Sequence, residues 1–127
     1  MIKNRYIKVS FRKEGVHMFP GADTNPKYAT GDWDDVSFLG YPHRHKFYFY
    51  VTVGVEHNDR DIEFIQFQRE LERQYGDGEL QLDHRSCEMI AEDLINYIEE
   101  NYPDRPVRVE VYEDDENGAI LENDLFN

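Results

Sequence analysis

The sequence predicts a single α+β domain over residues 1–127, with a four-stranded antiparallel sheet and two helices on one face. Three observations lead there. Residues 43–56 are a dense run of aromatic and β-branched side chains, the composition of a strand. Two later stretches switch to helical period. Val107, Val109 and Val111 then return to strict alternation. Strands grouped on either side of a helical middle favour helices packed against one side of an antiparallel sheet.

In order, Ile7, Val9 and Phe11 share one face of a first strand over residues 5–11. Gly15, Pro20, Gly21, Asn25, Pro26 and Gly31 mark residues 15–35 as a long loop. Long loops in small domains are often functional. The second strand covers 43–56, and residues 57–60 read as a turn. A helix follows over 61–75, with Phe64, Phe67, Leu71 and Tyr75 as its stripe and Ile65 beside it. Gly76-Asp77-Gly78 ends it. The second helix starts at Ser86 as N-cap, with Glu88 in its first turn, and Pro103 stops it. The valine strand leads to Asn117-Gly118, a hairpin turn signal, and to a return strand over 119–122. The order is strand, strand, helix, helix, strand, strand.

The formal net charge of −13 and the lack of a basic stripe exclude nucleic acid as a natural partner, and an anionic membrane surface for the same reason. No apolar run reaches the roughly 18 residues of a membrane helix. The first residues lack the apolar stretch of a signal peptide. Cys87 is the single cysteine, so no internal disulfide framework exists, and a cytoplasmic location is the expectation.

His43 and His45 stand two apart on a strand, so both project from one face, about 6–7 Å apart. Two such imidazoles converge on one ion with modest rotamer changes, and zinc is the natural metal for them. A catalytic zinc needs a third protein ligand and keeps one open position. His17, at the end of the first strand, supplies it if the first two strands pair. The same face continues as Phe47, Phe49, Val51 and Val53, so the histidines are either satisfied core residues or ligands. Asp83-His84 reads either as an acid–base pair, with the carboxylate orienting the imidazole, or as two polar loop residues. Glu113 is either a site residue or the first member of an acidic turn.

Together these segments resemble the 6-pyruvoyl-tetrahydropterin synthase family, which includes the 6-carboxy-tetrahydropterin synthases of queuosine biosynthesis. Phe11 and His17 stand where the family has its first zinc histidine. His43-Arg44-His45, followed by the aromatic strand, resembles its histidine-glycine-histidine motif. Glu63-Phe64, Leu82-Asp83-His84, Ser86-Cys87-Glu88 and Val109 to Glu113 follow in the family's order, so the likeness runs from about Tyr6 to Leu121. It implies the T-fold, a ββααββ unit that assembles into oligomeric barrels, often hexamers of two trimers. It also implies zinc on His17, His43 and His45, proton transfer by Asp83 and His84, and substrate binding by Glu113, Ser86 and Glu88. Two positions depart from the pattern. Leu39 stands where the family carries its catalytic cysteine, and Arg44 replaces the middle glycine.

The leading expectation is therefore a zinc-dependent lyase acting on 7,8-dihydroneopterin triphosphate. The alternatives are a non-catalytic T-fold module that binds a pterin, purine or nucleotide, and a metal-stabilised structural homo-oligomer.

Overall fold

The computed structural model describes residues 1–127 and holds five strands and two helices, in the order strand, strand, helix, strand, helix, strand, strand. They are β1 (Tyr6–His17), β2 (His43–Gly54), α1 (Phe64–Arg73), β3 (Leu80–Asp83), α2 (Cys87–Asn101), β4 (Val107–Glu113) and β5 (Asn117–Glu122). A 3-10 turn at Ser37–Gly40 breaks the long connection between β1 and β2. The sheet order is β3-β1-β2-β4-β5. Neighbours are antiparallel except β3, which runs parallel to β1.

The α+β class holds, with both helices on one face. Val9 and Phe11 of β1, Phe47 to Val53 at alternate positions of β2, and the three valines of β4 point to that face. Phe67 and Leu71 of α1, and Ile90, Leu94 and Ile98 of α2, close over them in one core. Burying each such side chain is worth about 1.5–3 kcal/mol. Glu63 caps α1 by accepting hydrogen bonds from the Ile65 and Gln66 amides, both at 3.0 Å. Ser86 caps α2 by accepting from the Met89 amide at 3.2 Å. The other face, with Tyr48, Tyr50 and Tyr112, is half-buried and carries no helix.

The structure corrects the expected elements in four places. The sheet has five strands rather than four and is mixed rather than wholly antiparallel. The added strand, Leu80–Asp83, is an edge strand that exists through its pairing with β1. The first strand does not stop near Phe11 but continues through Gly15 to His17. Gly15 belongs in that strand because a methyl there would lie 3.0 Å from both Leu82 and Phe47. Asn117-Gly118 is not the turn. Asp114 and Asp115, at φ 55° and 56°, make it, and Glu116 donates back to the Glu113 carbonyl at 3.0 Å. Gly118 instead faces Tyr112 across the ladder, where a Cβ would stand 2.7 Å from the Tyr112 Cα. Finally, Phe64 and Ile65 are exposed, so the buried stripe of α1 is Phe67 and Leu71.

Candidate metal centre

The extension of β1 is what assembles the histidines. His17 pairs with His43, and Gly15 with His45, in the β1–β2 register. Residues directly opposite share a face in an antiparallel pair, as do residues two apart on one strand. All three imidazoles therefore stand on the core face, at the end where the helices stop covering it. One ring nitrogen of each lies within 4.8 Å of the others.

The second nitrogen of each ring is anchored. His17 Nδ1 lies 2.8 Å from the Arg85 carbonyl, and His43 Nδ1 lies 2.9 Å from the Tyr41 carbonyl. His45 Nδ1 lies 2.7 Å from the Asp114 carboxylate. Carbonyls and carboxylates only accept, so each Nδ1 donates, and the neutral rings carry their lone pairs on Nε2. Nε2 of His17 and Nε2 of His45 are buried without a hydrogen-bond partner. A buried polar nitrogen left unpaired costs about 1–3 kcal/mol. Two such atoms, in a ring of three imidazoles, fit a metal ion. Small rotamer adjustments bring three such nitrogens to the roughly 2 Å at which imidazoles bind a metal.

Two carboxylates border the triad. Glu113 Oε1 is 3.1 Å from His17 Nε2, and its Oε2 is 3.3 Å from His45 Nε2, both off the rings' hydrogen-bonding directions. Burial alone would lower the basicity of His17. The Glu113 carboxylate and the Arg85 carbonyl outweigh it and hold that imidazole above the ordinary histidine value. Glu113 is held below the usual carboxylate range, first by His17 and then, against its own burial, by the charge of His45.

A cavity of about 550 Å³ opens beside His17 and His43. Of the residues expected at the site, His84, Ser86, Glu88 and Glu113 line it, and Asp83 does not. Asp83 and His84 are exposed and share no hydrogen bond. Asp83 sits at φ 51° and accepts from the Met18 amide at 2.8 Å through its carbonyl. This turn presents the Arg85 carbonyl to His17. Leu39 lines the cavity, held there by a 2.7 Å bond from the Phe19 amide to its carbonyl. Cys87 lines it too, but burial, then the charges of Glu113 and Glu88, push its thiol up to about 12, so it is no thiolate at neutral pH.

Compared with known proteins, the chain matches no family model and no curated sequence. No helix is long and apolar enough to cross a membrane. Sequence reasoning placed Gly15 in a loop and missed the part played by Asp114. The signal for Asp114 was present only in register: the turn after Glu113 lies beside Lys46, one residue past His45.

Proposed function

We propose that the chain is a zinc-dependent enzyme of the 6-pyruvoyl/6-carboxy-tetrahydropterin synthase type, a carbon–oxygen lyase acting on 7,8-dihydroneopterin triphosphate. One observation carries this reading: three imidazoles with their Nδ1 atoms anchored converge at the edge of a cavity large enough for a bicyclic ring. Zinc held by His17, His43 and His45 would supply Lewis-acid polarisation of the substrate's side-chain hydroxyls. His84, on the cavity wall, carries protons to and from the substrate, with Asp83 beside it in sequence. Glu113 offers two oxygens to the paired N–H donors of a pterin edge. Ser86 and Glu88, at the start of α2, border the same space.

A second reading, a non-catalytic module that binds a pterin or purine, is favoured by Leu39. It lines the cavity where the resemblance implies a cysteine, and a leucine moves no proton. Incubation with dihydroneopterin triphosphate and zinc, followed by mass spectrometry, separates the two. A 6-carboxy- or 6-pyruvoyl-tetrahydropterin supports the enzyme. Unchanged but tightly bound pterin supports the module, and no binding at all defeats both.

We also infer a homo-oligomeric barrel. Its support is the half-buried tyrosine face without helices and the open edges of the sheet, which soluble domains rarely leave free. Light scattering at micromolar concentration should give a mass well above the 15.2 kDa of one chain.

A further inference from the structure

We propose that Asp114 is the positioning residue that makes His45 a metal ligand and sets how tightly the centre holds a divalent cation. The inference rests on the zinc reading above and adds a residue to it.

The three ligands are anchored unequally. His17 and His43 rest on backbone carbonyls, of Arg85 and Tyr41. His45 alone rests on a side chain, the Asp114 carboxylate at 2.7 Å. That carboxylate is itself fixed. Its Oδ1 accepts from the Lys46 amide at 3.0 Å, and the Asp114 amide donates to the Lys46 carbonyl at 2.7 Å. It cannot turn away from His45 without breaking the seat of the β4–β5 turn on β2.

An ionised carboxylate presents no donor, so His45 keeps its hydrogen on Nδ1 and its lone pair on Nε2, facing the other two rings. It also fixes the ring's orientation, as carboxylates behind metal-bound histidines do. With Glu113 beside the triad, Asp114 supplies the second negative charge, so the pair balances a divalent ion over neutral imidazoles. His17 shows that the rings face a receiving space rather than a surface ion pair. It is 7% exposed, and its Nε2 makes no hydrogen bond although Glu113 Oε1 lies 3.1 Å away.

The backbone agrees. Asp114 sits at φ 55° in a turn where asparagine or glycine is the ordinary choice. The plain alternative is that Asp114 only pins the turn to Lys46. Asparagine separates the two roles. In Asp114→Asn the amide oxygen still accepts from Lys46, and the residue still suits a positive φ. Its NH2, however, now faces His45 Nδ1. A donor there drives the hydrogen to Nε2 and removes the lone pair from the centre.

The test uses the full chain and zinc alone. Chelator competition should show Asp114→Asn binding zinc roughly tenfold to a hundredfold more weakly than wild type, the range for loss of such a partner. Ring 15N NMR of the metal-free protein at mildly alkaline pH should show the His45 hydrogen moved from Nδ1 to Nε2. Circular dichroism should stay unchanged, because the turn keeps its bonds. Asp114→Gly, which also suits the positive φ, is the second variant and should lose affinity with water in place of the carboxylate. Zinc affinity within about threefold of wild type in a folded variant, with the His45 tautomer unchanged, overturns the assignment. A wild-type chain that takes up no zinc overturns the metal reading itself, and this inference with it.

Discussion

His17 and His43 face each other across β1 and β2, with ring centroids 4.6 Å apart. They are cross-strand partners at the last rung of the ladder, and His45 stands 5.5 Å from His17 on the same face. The purified protein should therefore carry about one zinc per chain. His45→Ala should leave the fold intact and reduce metal content to background by elemental analysis. Full metal content in that variant would place the ion elsewhere.

Glu113 reaches both unpartnered Nε2 atoms and the cavity. Three imidazoles remain when it is removed, so Glu113→Ala should retain zinc. It should weaken pterin binding by at least roughly tenfold, the loss of one charge-assisted contact of about 1.5–3 kcal/mol. Calorimetric titration with a pterin, set beside the metal content of the same sample, checks both halves.

A Cβ on Gly118 would meet the Val111 carbonyl, the Tyr112 Cα and the Tyr112 ring, and the two backbone atoms cannot swing aside. Gly118→Ala should destabilise the protein by about 1–3 kcal/mol, the range for overpacking. Urea denaturation of the two proteins measures it, and a midpoint equal to wild type would show that β5 shifts freely.

Arg105 Nη1 donates to Asp61 at 2.8 Å and to the Gly54 carbonyl at 3.0 Å, tying the turn after β2 to the approach to β4. Asp61 is held below the ordinary carboxylate value, by Arg105 first and then by the Glu56 amide. A depressed carboxyl in the folded state adds stability above its unfolded value and loses it as pH falls through the folded value. Wild type should exceed Arg105→Met most at neutral pH. The gap should narrow on acidification below the carboxylate range, leaving the Gly54 bond as a residue. A gap independent of pH in urea titrations would contradict the ion pair's role.

Much of this arrangement could be read from residues. Alternation places Phe47, Phe49, Val51 and Val53 on one face, and the same parity carries His43 and His45 with them. Ser86 and Pro103 bracket α2 through capping chemistry that acts within a few residues. What stayed hidden depended on partners distant in sequence. β3 has four residues, too few for a period, and becomes a strand only against β1. Gly15 reads as a loop residue until Phe47 and Leu82 are beside it. Asp114 looks like one of four consecutive acids until the register sets it against Lys46 and His45. Phe64 and Ile65 read as core because periodicity reports a face and not how much of that face finds a cover.

The ring anchors span long stretches of chain: Arg85 lies 68 residues from His17, and Asp114 lies 69 from His45. Contacts of that sequence separation form late, since loop closure precedes any gain from them. The centre thus completes itself only after β1, β2, the entry to α2 and the β4–β5 turn have met. A metal that requires all four segments acts as a brake on unfolding and not as a seed for folding. Zinc should slow the unfolding limb of a chevron plot and leave the refolding limb almost where it was.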